Sequence, residues 1–289
     1  MIYRLLALNI DGTIVGNGGR ISRETKEALD YVREKGVYVT LVSGRSFPSA
    51  TKVARALDIE EHLVTHHGAY IGKEEEDPIQ VSRLDKELTY DLVQFLESFT
   101  ARIGLVHEEY SVMNKTNPNQ TLLGRMTWSR ESRFVYSKQY VNVLSDYLLE
   151  NPEESPLMTV EFFSKQEASD AIEALRAMYN EVDCIKTGDL TYAIVRRGVS
   201  KLRGLLLVAE KLGISKEQIV MIGSGVDDID AFNCCGLGVA MRNSSAEVKA
   251  AADWVTRSQE QNGVAYFVHE FFRKQQPIEF LKKMNIIKS

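Results

Sequence analysis

The chain has 289 residues and a formal net charge of −5, with 44% apolar and 26% charged residues. That length buries a sizeable core, in one large domain or two. The mild acidity offers no basic excess for nucleic acid, and no apolar run reaches bilayer length, so neither nucleic acid nor membrane is expected as a partner. Cys184, Cys234 and Cys235 form neither a disulfide framework nor a zinc spacing. They read as small buried hydrophobes in a reducing cytoplasm, the default compartment.

The first third alternates strand-like and helix-like segments. "LLALNIDGTI" (5–14) is an apolar strand running into a polar turn, and nothing in it resembles a signal-peptide cleavage site. Ser22 is placed to cap a helix to about Lys35, with Leu29 and Val32 on one face and Gly36 at its end. "VYVTLV" (37–42) is β-branched and suits a buried parallel strand. "SGRS" and a helix from about Phe47 to Leu57 follow, and "HLVTHHGAY" reads as a further strand and turn. Repeated βα units imply an α/β fold with a doubly wound parallel sheet.

The middle changes character. After the acidic turn "KEEEDP" (73–78), helices are predicted near 86–98 and 166–179, with strands at 157–163 and 189–197. No phosphate-type turn falls among them, which suggests a separate α+β unit. In the last third Ser200 caps a helix ending near Gly213, and "QIVMIGSG" (218–225) is a strand into a glycine-containing turn. "GLGVAM" (236–241) is a short strand, Ser244 is placed to cap the next helix, "DWVT" is a brief strand, and "NGVAYFVHEFF" begins a final helix. The simplest organisation is one sheet domain, 1–83 and 190–289, with 84–189 inserted as a lid.

Open parallel sheets bind ligands at the carboxyl ends of their strands. Four polar turns fall at such ends: Asn9 to Thr13, Ser43-Gly44-Arg45, the region of Lys201, and Gly223 to Asp228. Each has an ordinary reading. Asp11 and Thr13 can satisfy turn N–H groups, Ser43 can cap a helix, Lys201 can be solvated, and the acids at 227, 228 and 230 suit a helix N-terminus. The alternative is a carboxylate cluster facing Asp11, which suits a hard cation such as Mg²⁺.

Taken together these stretches resemble the haloacid dehalogenase (HAD) superfamily and, within it, the Cof-like phosphatases. "NIDGTI" stands where the family has DxDGT(L/I), and "LVSGR" matches its second motif. "GVSKLRGL" matches the lysine-bearing third motif, and "IGSGVDDIDAF" stands where the family has GD(x)₂ND. "GVAMRNSSAEVKAAADWVT…NGVA" matches the closing run that marks the Cof-like branch. The resemblance covers nearly the whole chain and makes the middle segment an α/β cap. It implies Mg²⁺-dependent hydrolysis of phosphate monoesters through an aspartyl-phosphate. Carried over by position, residue 9 is the nucleophile site and Asp11 the acid/base. Thr13, Ser43, Gly44, Arg45, Lys201 and Asn243 fall to the phosphate, and Asn9, Asp11, Ser224, Asp227 and Asp228 to the metal.

Two departures fall where that chemistry is most demanding. The nucleophile position holds Asn9, and the first acid of the fourth motif is replaced by Ser224. A third change runs the other way, with Asp227 where the family has Asn. An amide oxygen is a neutral, weak nucleophile, and fewer carboxylates should weaken Mg²⁺. Three readings stay open: a phosphatase active by another route, a pseudo-phosphatase holding a phosphorylated small molecule or a protein partner, and a silent scaffold. His66, His67 and His107 are expected to hydrogen-bond structurally, and Met113 and Trp128 to pack in the cap core.

Overall fold

In the computed structural model of the chain, the described residues are 2–16, 19–74, 77–115, 137–284 and 286. Strand β1 (Leu5–Leu8) is fully buried, because apolar residues occupy both faces of a strand inside a parallel sheet. The Arg23–Glu34 helix is capped by Ser22, whose side chain accepts from Thr25 N–H. Its buried stripe of Thr25, Ala28, Leu29 and Val32 turns toward the core, and the helix packs on the one at Gly263–Phe272. Strand β2 (Tyr38–Leu41) pairs with β1 in parallel, and the Phe47–Ala56 helix returns from it.

A small antiparallel sheet follows: β3 (Leu63–Thr65), β4 (Tyr70–Gly72) and β5 (Pro78–Val81). The next six strands form a second sheet. They are β6 (Ala101–Val106), β7 (Tyr110–Asn114), β8 (Ser137–Val141), β9 (Leu157–Phe162), β10 (Val182–Lys186) and β11 (Thr191–Arg196), in the order β10-β11-β9-β6-β7-β8. The pairs are antiparallel except β7–β8, which run parallel. Three helices, Lys86–Leu96, Leu144–Glu150 and Lys165–Met178, cover one face through Leu92, Leu96, Leu144, Ala171 and Leu175. Each of these leucines contributes about 1.5–3 kcal/mol on full burial. The division at residue 190 leaves β11 with the terminal segments, yet its hydrogen bonds go to β10 and β9 in the second sheet.

The chain then rejoins the first sheet with β12 (Ile219–Gly223), β13 (Leu237–Ala240) and β14 (Trp254–Val255). The order is β14-β13-β12-β1-β2, all parallel, so β1 and β12 are adjacent at the centre. Two local expectations are corrected here. The cap of the Ala246–Ala251 helix is Ser245, which accepts from Val248 N–H, while Ser244 is buried behind it. The Gly263–Phe272 helix is followed by another at Ile278–Lys283 that packs back on the core through Ile278 and Leu281. The three cysteines are half-buried, not fully enclosed. No helix among the described residues is long and apolar enough to cross a membrane.

Candidate active site

The adjacency of β1 and β12 brings the first and fourth polar turns side by side. Asn9 N–H still bonds the β12 residue Ile222, at 2.9 Å, so the turn leaves the sheet in register. The Ile10 carbonyl then accepts from Thr13, Ile14 and Val15, which coils the loop back. Gly12 sits at φ +68°, and a Cβ there would lie 2.8 Å from Ser224 Oγ, so the turn needs glycine for both conformation and space. Ser224 Oγ donates to the Asp11 carbonyl at 2.9 Å and accepts from Thr13 Oγ1 at 3.3 Å. Gly223 is constrained by space alone, since a Cβ would meet Asp228 Oδ2 at 2.3 Å.

Asn9 is 5% exposed. Its Oδ1 accepts from Ile10 N–H at 2.8 Å, and its Nδ2 donates to Asp228 Oδ2 at 3.2 Å and to the Asp11 carbonyl at 3.3 Å. Asp228 is fully buried, and its Oδ2 also accepts from the N–H groups of Ser224 and Gly225, each at 2.9 Å. Lys201 comes from the start of the Lys201–Lys211 helix, whose cap Ser200 accepts from Arg203 N–H. Its Nζ lies 2.8 Å from both Asp228 Oδ1 and Asp227 Oδ2, and it is 4% exposed, so the solvated-lysine reading does not hold. Asp227 Oδ2 also accepts from His67 Nδ1–H at 3.0 Å.

Burial alone would lower the Lys201 pKa, but the facing carboxylates of Asp227 and Asp228 outweigh it and hold the amine above its ordinary value. Burial would raise Asp227, yet Lys201 and His67 keep it well below the usual carboxylate range. For Asp228 burial is the largest influence and pushes the pKa up, against the pull of Lys201.

Arg45 closes the outer side of the site. Its Nε and Nη2 fork onto the two oxygens of Asp11 at 2.9 and 2.6 Å. Ser43 is buried, and its Oγ accepts from Arg45 N–H at 3.2 Å. Asn243 donates to the Gly12 carbonyl at 2.9 Å and accepts from Gln259 N–H at 3.0 Å, tying the first turn to the loop before the Gly263–Phe272 helix. A cavity of about 1590 Å³ opens over this cluster. On the first-sheet side Asn9, Asp11, Gly44, Arg45, Lys201, Ser224, Asp227 and Asn243 line it. Thr13, Ser43 and Asp228 stand behind that wall. The second sheet closes the other side with Val106, Ser111, Met113, Leu157, Thr159 and Ala193. Met113 is thus buried, as expected, and also borders the cavity. Trp128 lies outside the described residues.

The donor set does not fit a hard dication. Mg²⁺ takes oxygen ligands in near-octahedral geometry and favours carboxylates. Here an amide NH₂ points at Asp228 and at the Asp11 carbonyl, and a serine hydroxyl donates to that same carbonyl. Asp228 already accepts four N–H groups. Among the described residues no three His, Cys, Asp or Glu side chains converge as a metal-binding group.

The family profile of haloacid dehalogenase-like hydrolases matches residues 6–268. The chain belongs to this family. The stress response protein YhaX of Bacillus subtilis (strain 168) is 42% identical over 286 residues, covering 99% of each chain. The phosphatase YcsE of the same organism, named for 5-amino-6-(5-phospho-D-ribitylamino)uracil, is 25% identical over 262 residues, covering 91% of this chain and 93% of its own. In fold, a haloacid dehalogenase-like hydrolase from B. subtilis superposes with a TM-score of 0.80 at 20% identity, covering 93% of this chain and 99% of its own.

The histidines divide over the structural role expected of them. His66 fits that role: it is fully buried at φ +50°, and its Nε2–H donates to the His107 carbonyl, in the turn between β6 and β7, at 3.3 Å. His67 does more, because it borders the cavity and grips Asp227. The sequence marks only the change at 227, and no spacing ties it to residue 67. The structure pairs His67 with Asp227.

Proposed function

We propose that this family member holds a phosphorylated small molecule in the cavity between the two sheets and does not form a phospho-enzyme at residue 9, so that hydrolysis is severely impaired. The observation that carries the reading is the Asn9 amide. Its NH₂ is committed to Asp228 and the Asp11 carbonyl, and its oxygen to Ile10 N–H. Attack by that oxygen on phosphorus would give a cationic imidate in place of an acyl phosphate, with no carboxylate charge to drive it. Removing a catalytic nucleophile costs about 10⁴–10⁶-fold in turnover.

What remains supports binding. Lys201, Arg45 and the turn at Gly44 border the cavity on one side, and a largely apolar sheet face with the hydroxyls of Ser111 and Thr159 borders it on the other. A phosphate end and a less polar organic end match those two walls. Asp11, the acid/base position, stays half in solvent and paired to Arg45.

The test uses purified chain, a generic aryl phosphate, and an Asn9→Asp/Ser224→Asp double variant. The reading expects turnover only from the double variant, and a rise in melting temperature of the native chain with phosphorylated compounds such as those of the size handled by YcsE. Robust turnover by the native chain, abolished by Asp11→Ala, would overturn it.

A further inference from the structure

Two oxygen ligands brought together from separate loops repel unless something positive or hydrogen-donating lies between them. In this site the Asp11 carbonyl follows β1 and the Asp228 carboxylate follows β12. Between them lies Asn9 Nδ2, at 3.3 and 3.2 Å. The second lone pair of the Asp11 carbonyl is met by Ser224 Oγ–H at 2.9 Å. Asp228 Oδ2 takes two further N–H groups at 2.9 Å, and Oδ1 takes Lys201 at 2.8 Å. Asp228 is 0% exposed and stands behind the cavity wall. The two acceptors that flank residue 9, the Asp11 carbonyl and the Asp228 carboxylate, are therefore met by donors of the chain itself.

The two departures act in one direction. Each replaces an acidic acceptor with a side chain that donates, and each donor reaches the Asp11 carbonyl. We propose that the Asn9 amide takes the structural place of a divalent cation, tying the Asp11 carbonyl to the Asp228 carboxylate, so that the pocket assembles and accepts its phosphorylated ligand without divalent metal. The clause about the ligand rests on the function proposed above. The clause about assembly rests on the hydrogen bonds alone. It follows that Asn9→Asp removes the amide's two donated hydrogen bonds, sets a carboxylate against Asp228, and creates a need for the ion.

The experiment compares full-length native protein and Asn9→Asp in EDTA and in MgCl₂, by thermal melting and by calorimetric titration with MgCl₂. Inorganic phosphate is the ligand probe. The native chain is expected to melt within about 1 °C in the two buffers, with no saturable Mg²⁺ heat. Asn9→Asp is expected to melt roughly 5 °C or more lower in EDTA and to regain most of that in Mg²⁺. Stoichiometric Mg²⁺ binding by the native chain overturns the proposal, and so does an Asn9→Asp variant whose melting ignores EDTA. Should that variant not fold, the native titration decides alone. Phosphate that raises native melting only with Mg²⁺ present sinks metal-free binding and leaves the ligand reading standing. Phosphate without effect in either buffer sinks the ligand reading, and the Mg²⁺ titration still judges the amide.

Discussion

Lys201→Met isolates the charge cluster on which the pocket is built. The native amine is 4% exposed and lies 2.8 Å from one oxygen of each of two buried carboxylates. At an effective dielectric constant near 20, each contact is worth about 6 kcal/mol of gross attraction, most of it offset by desolvation. What the variant exposes is the uncompensated side: two buried acids, with His67 as the remaining partner of Asp227. Removing one member of a buried pair costs about 3–5 kcal/mol. For a chain of this size that is a melting loss of roughly 10 °C. Thermal and urea unfolding at pH 7 read it directly. Adding Asp228→Asn should recover most of the loss, because the second change removes the charge left stranded. The sign with pH follows from Asp227, whose depressed pKa supplies stability above the ordinary carboxylate value. That contribution is complete above roughly 4 and is lost only as pH falls from there through the depressed folded value, so the native and Lys201→Met chains should draw together progressively below pH 4. A loss under about 1 kcal/mol at pH 7, or no recovery with Asp228→Asn, would refute the reasoning.

Two further predictions rest on buried groups elsewhere. Burial drives the His66 pKa down from 6.5 to about 4, so its neutral form carries stability that is complete above pH 6.5 and lost as pH falls toward 4, by about 3 kcal/mol; unfolding of native and His66→Gln chains at pH 7, 5.5 and 4.5 should show the smaller pH slope in the variant, and equal slopes would contradict it. Ser244 Oγ is buried without a hydrogen-bond partner among the described residues, so Ser244→Ala should leave stability unchanged or raise it by up to about 1 kcal/mol, and a clear loss in denaturant unfolding would show an unseen partner.

The parts of the fold legible in the sequence are those set by local chemistry. Ser22 and Ser200 cap helices because their neighbours leave orphan N–H groups within reach, and "LLAL" and "IVMIG" are buried strands because both faces are apolar. Where two local signals compete, the sequence does not choose. Ser244 and Ser245 are equally good caps on paper, and only packing buries the first. The strand at Thr191–Arg196 carries no mark of which sheet it joins, because sheet membership depends on pairing with β9 some thirty residues away. Most of the candidate site was legible as a set of residues, since strand-end turns of neighbouring parallel strands converge; Lys201 arrives instead from the helix that follows the antiparallel strand β11. The hydrogen bonding of the site was not. That His67 meets Asp227 across 160 positions, and that the Asn9 amide turns its NH₂ to Asp228, depend on side-chain placement that no spacing encodes.

The central claim is that residue 9 carries no phosphoryl group in this chain. Peptide mapping after rapid acid quench with a labelled acyl phosphate tests it most directly, with the Asn9 peptide checked by mass for deamidation. The account predicts no label on the native peptide and label at residue 9 in the Asn9→Asp/Ser224→Asp variant with Mg²⁺. Phosphate found on residue 9 of native, undeamidated protein would contradict it.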